Sequence, residues 1–280
     1  SWSLAVRRST LEPLLAALRK TTDNIPSSFY FYDMNGKINF DAGNNDKFGL
    51  SFYTGKDAVS FPFADDAEFN LNYGNQTVSG NWKHIFNEQL FSSFVVTGSR
   101  YFNFPTFELG GTPFERDRFD NEESFSSRIQ ANYASLYIQD TWRPTDRWKL
   151  TYGTRLNYFS DGDYLRPEPR VSLEYKPADR IRLQAAYGRY NQFLTLISNE
   201  AFSGFDVWLT ADEGIKPAFG DQFVLGVKTI PFKDYGLDLE VYYRTMNDLF
   251  ELDPFIQDVS GLPYSDIFRI GSGDAYGAEV

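Results

Sequence analysis

Apolar and polar residues alternate along much of the chain. Between Trp148 and Tyr158 the even positions are mainly apolar or aromatic, whereas the odd positions are mainly polar. The same alternation recurs over 181–188 and 237–244, with charged residues on one side of the pattern. A period of two residues is typical of a β-strand with one apolar face. The pattern therefore predicts long strands and almost no helix.

Twelve strands are predicted, near residues 2–8, 28–41, 46–56, 67–86, 90–104, 124–143, 147–160, 169–176, 180–190, 220–231, 236–249 and from 274 onward. The strand near 124–143 is unusually long, so it either projects beyond a membrane or lacks a hairpin between Ile129 and Tyr133. Residues 11–20 predict a short helix with a leucine face, which we expect to pack over a loop. Binding of that face in a groove is the alternative.

Short and long connections alternate along the chain. Short polar turns are predicted at 42–46, 87–89, 143–147, 176–180 and 232–236, and long connections at 9–27, 57–66, 105–123, 161–168, 191–219 and 250–273. In an up-and-down sheet this alternation places all short turns at one end, as in outer-membrane barrels. The sequence thus predicts an all-β fold, in which residues 1–280 belong to one antiparallel up-and-down transmembrane β-barrel domain.

Aromatic residues flank the predicted short turns. Trp142 and Trp148 enclose one turn, Tyr175 precedes the next, and Phe232 and Tyr235 lie at a third. Such a cluster is expected at the headgroup level of a membrane. The alternative is that aromatic residues simply favour strands.

The amino-acid composition argues against several other classes of protein. Aromatic residues make up 18% of the chain, which is too many for a disordered acidic protein. The absence of cysteine excludes disulfide scaffolds and thiolate metal sites. A net charge of −11 without a run of lysine or arginine disfavours a nucleic-acid partner. The mean hydropathy of −0.43 does not exclude a membrane barrel, because outward apolar and inward polar residues average out.

From Tyr133 onward the strand sequences contain motifs that are specific to a protein family. The segments are YASLYIQDTWRPTDRWKLTYGTRLNYFS, PEPRVSLEYKPADRIRLQAAYGRYNQF, VWLTADEGIKPAFGDQFVLGVKTI, LDLEVYYRTMNDLFE and GSGDAYGAEV. Together they resemble the barrel of TonB-dependent outer-membrane transporters over roughly 133–280. WSLAVRRSTLEPLL and NYGNQTVSGNWKHIF resemble earlier strands of that family more weakly.

This resemblance implies energy-coupled uptake of a scarce nutrient, such as a metal chelate or an oligosaccharide, across a Gram-negative outer membrane. The chain would supply part of the barrel and its extracellular loops, since family barrels have about 22 strands. It also lacks the family's plug domain and coupling segment. The implied partners are outer-membrane lipid, the plug domain of the same full-length protein, the TonB complex acting through that plug, and a surface lipoprotein.

Two sets of residues are candidates for contact with cargo or plug. The loop 191–219 combines aromatic and polar groups that suit sugars or flat ligands, namely Phe193, Asn199, Phe202, Phe205, Asp206 and Trp208. The alternative is a self-packed loop that closes the barrel mouth. The residues expected to line the lumen or meet the plug are Arg155, Arg182, Arg189, Glu240 and Arg244.

Catalysis has little support in the sequence. A catalytic triad would need His84, the only histidine, which lies in a predicted strand. Acidic pairs in the loops lack the spacing of a calcium loop. We therefore expect no enzyme activity, no catalytic residue, no metal site and no cofactor. A passive porin and a soluble all-β carbohydrate-binding protein remain the alternative functions.

Overall fold

The computed structural model describes residues 1–9, 11–22, 25–64, 67–109, 112–114, 129–197, 207–212, 214–232, 235–253 and 264–280. The strands are β1 (Trp2–Arg8), β2 (Ser28–Ala42), β3 (Asp46–Ala64), β4 (Ala67–Ile85), β5 (Leu90–Leu109), β6 (Thr112–Phe114), β7 (Ile129–Thr145), β8 (Trp148–Phe159), β9 (Tyr164–Ala178), β10 (Ile181–Gln192), β11 (Leu194–Ile197), β12 (Val207–Thr210), β13 (Ala218–Phe232), β14 (Tyr235–Leu252) and β15 (Phe268–Glu279). Helix α1 spans Glu12–Leu18, and 3₁₀ turns span Asp161–Asp163 and Tyr264–Ile267.

Twelve of these strands follow one path through a single antiparallel sheet. Their order is β1-β2-β3-β4-β5-β7-β8-β9-β10-β13-β14-β15, with β6 paired to β5 and β11 paired to β12 in a separate hairpin. Each strand of the path therefore lies beside its neighbours along the chain. In the described ranges β1 and β15 do not pair, so the sheet is open. The predicted up-and-down antiparallel fold is confirmed.

The sheet has an apolar face and a polar face. One row across five neighbouring strands consists of Leu150, Leu173, Ala185, Leu225 and Val241. Leu225 exposes 60% of its surface in the chain, as expected for a side chain that contacts lipid. We call the face with this row the apolar face and the opposite face the polar face. Each strand alternates between the two faces residue by residue.

Short turns lie at one end of the sheet, which we call the turn end, and the remaining connections lie at the loop end. The turns at 43–45, 87–89, 146–147 and 179–180 agree with the prediction, whereas 233–234 lie outside the described residues. Gly43 has a φ of 80°, a left-handed conformation that favours glycine. Trp148 and Tyr175 stack near this end with ring centroids 4.1 Å apart. Aromatic side chains thus cluster where the interface was predicted.

Several predicted loops are instead continuations of strands. β3 extends to Ala64, β5 to Leu109, and β9 already begins at Tyr164, so the predicted long loop at 161–168 is wrong. Strand β9 contains two prolines, Pro167 and Pro169, and both are paired with residues of β8. The pairing of β9 with β10 stops at Arg170, so these prolines occupy a strand paired on one side only. Such an edge tolerates the missing N–H of proline.

Strand β7 is continuous at the place where a hairpin was considered to be missing. It runs without interruption from Ile129 to Thr145, and its first residues pair with β5 through the partners Asn103 and Ile129. The given chain thus forms one strand through residues 129–133, and a hairpin missing from it stays an untested prediction. Residues 124–128, which were also expected to be part of this strand, lie outside the described residues.

Helix α1 confirms the one predicted helix but not its packing. Leu11, Leu14 and Leu18 each expose at least 41% of their surface, so the leucine face is not covered by the described residues. Arg19 anchors the segment instead, because it donates to Glu12 at 2.7 Å and to the Pro26 carbonyl at 2.8 Å. Among the described residues, no helix has the length and apolar character needed to cross a membrane.

Candidate functional site

The polar face of β7–β14 carries most of the charged residues that the sequence singled out. Arg155 lies opposite Glu168, and Arg182 lies opposite Lys228. Glu240 and Arg244 lie on the same face of β14, two positions from Tyr242. These four residues therefore share the polar face of the sheet. Whether the side chains contact cargo or plug stays a prediction.

Arg189 is the exception, and the structure corrects its placement. It lies opposite Asp221 and two positions after Tyr187, on the apolar face. Its guanidinium forms a two-point ion pair with Asp221, at 2.9 Å and 2.7 Å, and Tyr187 Oη donates to the same carboxylate at 2.8 Å. Arg189 has the same odd parity as its apolar neighbours Ile181, Leu183 and Tyr187. The sequence therefore contained the signal for this position.

Near the turn end, the charges of the polar face are balanced by opposite charges. Arg182 Nε lies 3.5 Å from Glu174 Oε1, and Lys176 Nζ lies 3.8 Å from the same oxygen. Lys228 forms an ion pair with Asp238. These groups border an open hollow of about 800 Å³ between the turns. Exposed pairs of this kind contribute little stability, so they mainly keep this surface polar.

Towards the loop end, two arginines share one aromatic ring. The guanidinium carbons of Arg155 and Arg170 lie 5.5 Å and 5.3 Å from the centroid of the Tyr137 ring. Arg170 also lies 5.8 Å from the Tyr190 ring, which covers the backbone at Gly188. A cation over an aromatic face is held by the ring quadrupole. The arrangement fixes two positive charges side by side on the polar face.

Glu168 is the buried carboxylate of this region. It exposes only 4% of its surface, and its Oε1 accepts from the backbone N–H of Asn191 at 2.8 Å. Its Oε2 lies 3.5 Å from Arg170 Nη2, at the limit of a hydrogen bond. Glu168 therefore replaces the ladder bond that β10 loses where it separates from β9. Sequence reasoning missed Glu168, Arg170 and Tyr137, although the alternation of β9, once recognised as a strand, would have placed the first two.

Both described ends of the long connection between β10 and β13 pack near the loop end of the sheet. Phe193 exposes 7% of its surface and packs against Phe159 and Tyr133, with ring centroids 5.1 Å and 5.8 Å away. Tyr164 Oη donates to the Asp212 carbonyl at 2.7 Å. Ile215 is buried in the same segment. Phe193 thus anchors the segment by packing, as in the self-packed alternative.

The side chains of the other residues proposed for cargo contact lie outside what the structure describes. Trp208 belongs to strand β12, of which only the backbone is described. The remaining four, Asn199, Phe202, Phe205 and Asp206, lie outside the described residues. Their contact with a ligand therefore stays a prediction.

The acidic residues of the loop end were also considered as metal ligands. Burial raises the pKa of Asp161, and the nearby Asp212 carboxylate adds to this shift. Within the described ranges, no group of three or more histidine or acidic side chains is arranged to hold a metal ion. His84 lies near the turn end, where its Nδ1 is 2.7 Å from Asp46 Oδ1. Trp82 Nε1 donates to the same oxygen at 2.8 Å, so Asp46 links the two rings.

Comparison with known protein families gives a match over nearly the whole chain. A family profile described as "TonB dependent receptor-like, beta-barrel" matches residues 7–280. Comparison with curated protein sequences gives no match.

Three solved structures illustrate the likeness of fold. The alcaligin outer-membrane receptor FauA of Bordetella pertussis has a TM-score of 0.59 at 12% identity, over 89% of this chain and 42% of that one. The ferripyoverdine receptor of Pseudomonas aeruginosa has a TM-score of 0.56 at 11% identity, over 88% and 37%. The RagAB peptide importer has a TM-score of 0.53 at 10% identity, over 99% and 34%. The chain thus spans less than half the length of each of these relatives, which are receptors and importers.

Proposed function

Because this chain belongs to the family of TonB-dependent receptor β-barrels, we propose that it forms part of the wall and outer loops of an energy-coupled nutrient importer. The family is one of Gram-negative outer-membrane proteins, so the chain is located in that membrane. The match over residues 7–280 is the observation that carries the proposal. The apolar face then contacts lipid, and the polar face borders the barrel lumen.

The proposed cargo is a metal chelate. Two of the structurally similar proteins are described as siderophore-type receptors, for alcaligin and ferripyoverdine, and a third as a peptide importer. An oligosaccharide, the other cargo expected from the sequence, has no such support. Transport also needs a plug domain in the same protein and a TonB complex that acts on it. A surface lipoprotein is a further proposed partner, which co-purification would test.

A comparison of uptake with and without energy tests the proposal. Cells that carry or lack the gene are supplied with a panel of radioactive ferric chelates, and initial uptake rates are measured with and without a protonophore. We expect at least one chelate to enter only when the gene is present, and its uptake to stop when the proton gradient is collapsed.

The alternatives predict different results in the same experiment. A passive porin would give gene-dependent entry that is limited by solute size and unaffected by the protonophore. A soluble carbohydrate-binding protein would be released from cells without detergent. Either result would overturn the importer. A strain that lacks only the inner-membrane energy complex provides the control for indirect effects of the protonophore.

A further inference from the structure

We propose that Arg155, Arg170 and Tyr137 form a binding site for an oxyanion, such as a carboxylate, on the polar face of the barrel wall. The inference rests on the proposed function in one respect, since access to the lumen requires that the sheet be part of a barrel. It adds a chemical class of ligand and the residues that hold it. The ligand group belongs either to a free anionic cargo or to another segment of the same protein.

The first support is the fixed geometry of the two cations. Both guanidinium carbons lie within 5.5 Å of the centroid of the Tyr137 ring. Contact with an aromatic face leaves the N–H groups along the guanidinium edge free to donate in the plane. Two such edges beside one ring suit a planar carboxylate, which accepts two parallel hydrogen bonds.

The second support is that both arginines have an unmet donor. Arg155 Nε and Arg170 Nε are buried and have no hydrogen-bond partner among the described residues. A buried donor without a partner costs about 1–3 kcal/mol, and more when it is charged. An oxygen of a bound anion would remove this cost at both positions. A ligand oxygen would reach these two atoms through a shift of the side chains that cover them.

The third support is an excess of positive charge. Glu168 lies opposite Arg155 and is paired with Arg170, and its Oε1 is engaged by Asn191. Its Oε2 reaches Arg170 only at 3.5 Å, and Arg155 makes no ion pair within the described ranges. In a chain with a net charge of −11, this local surplus is unusual. An anion would neutralise it.

The first experiment measures citrate binding to the complete receptor by calorimetry in detergent micelles. The wild type is compared with Arg155→Gln, Arg170→Gln and the double variant. Lys228→Gln is the matched control, because Lys228 lies on the same face but already forms an ion pair with Asp238. For a free anionic cargo, we expect each single variant to bind about tenfold more weakly and the double variant to lose binding, with the control unchanged.

The second experiment detects a ligand group from the same protein. Ser135, which lies two positions before Tyr137 on the polar face, is replaced by a photo-crosslinking phenylalanine analogue. If wild type binds no citrate, but Ser135 crosslinks to an acidic segment of the same protein and the double arginine variant abolishes this crosslink, the protein's own carboxylate fills the site. The crosslinked peptide identifies the segment.

Two results would overturn the site. One is equal citrate binding by the wild type and the double variant. The other is the absence of both citrate binding and an arginine-dependent crosslink. Failure of the importer proposal is distinguishable, because citrate binding through these arginines without any energy-dependent chelate uptake would reject transport and leave the oxyanion site in place.

Discussion

The polar face is built differently in two regions of the same sheet. In the middle of β4 and β5 it carries small neutral groups, such as Ser79 and Thr97, whose hydroxyl oxygens lie 3.0 Å apart. Thr77 and Ser99 form a second pair of this kind, also at 3.0 Å. Across β8–β10 the same face carries arginines and glutamates. We call these the neutral half and the charged half.

The difference between the halves concerns how polar groups are satisfied. A hydroxyl both donates and accepts, so neighbouring serines and threonines can satisfy each other across strands. Arginine only donates, and Glu168 does not supply enough acceptors for Arg155 and Arg170. Buried groups without a partner occur in both halves, namely Tyr101 Oη and Asn103 Oδ1 on β5 and the Nε atoms of Arg155 and Arg170, but only those of the charged half belong to cations that can only donate.

The charged half also carries the folded-in segment, and the largest predicted effect concerns its anchor. Phe193→Ala removes a buried ring that packs on Phe159 and leaves a cavity. We expect a loss of about 3–5 kcal/mol in the stability of the segment. Limited proteolysis in detergent would show faster cleavage between Phe193 and Ala218. Phe94→Ala, on the apolar face of the neutral half, is the control, because lipid or detergent fills the space of the missing ring.

A second prediction tests whether the halves differ only on the polar face. Leu225→Arg in the charged half and Val96→Arg in the neutral half place a cation against lipid. Each should cost about 2–4 kcal/mol, as measured by urea unfolding of the receptor in vesicles. The adjacent substitutions Val224→Arg and Val95→Arg, on the polar face, should be tolerated. A tolerated arginine at Leu225 or Val96 would contradict the assignment of faces.

Much of this fold follows from local pattern, but the boundaries at the loop end do not. Period-two alternation depends on each strand alone, so the faces, the strand order and the short turns could be predicted. The extent of β9 depends on pairing with β8, which overrides the usual meaning of Pro167 and Pro169. Phe193 is similar, because its role depends on contact with Phe159, which is distant in sequence. Arg189 required only correct counting of alternate positions.

A third prediction compares the energetic importance of polar groups in the two halves. Glu168→Ala should cost about 2–3 kcal/mol, because it leaves the Asn191 N–H and Arg170 without a buried acceptor. Glu168→Gln keeps an acceptor oxygen and should recover part of this loss. In the neutral half, Thr97→Val removes one hydroxyl of a neutral pair and should cost about 1 kcal/mol or less. Urea midpoints of the three variants in detergent provide the comparison, and equal costs would remove the distinction between the halves.

The smallest predicted effects are opposite responses to pH at the loop end. Burial raises the pKa of Asp161, so the folded state holds this proton more tightly than the unfolded chain does. Its segment should lose stability as the pH rises from the ordinary range of an aspartate through the raised pKa. In the first half of the chain, the hydrogen bond from Arg19 lowers the pKa of Glu12. That contribution is present above the ordinary range of a glutamate and is lost as the pH falls through the lowered pKa.

Hydrogen exchange, corrected for the intrinsic effect of pH, would follow both segments in one sample. Asp161→Asn should abolish the pH response of residues 160–164 without changing that of α1, and Glu12→Gln should do the reverse. Because the two carboxyl groups are far apart in sequence and share no partner in these interactions, each substitution controls for the other. Responses of the same sign in both segments would show that a general effect of net charge dominates. Opposite signs would show that local burial at Asp161 and a local hydrogen bond at Glu12 set the two pKa values.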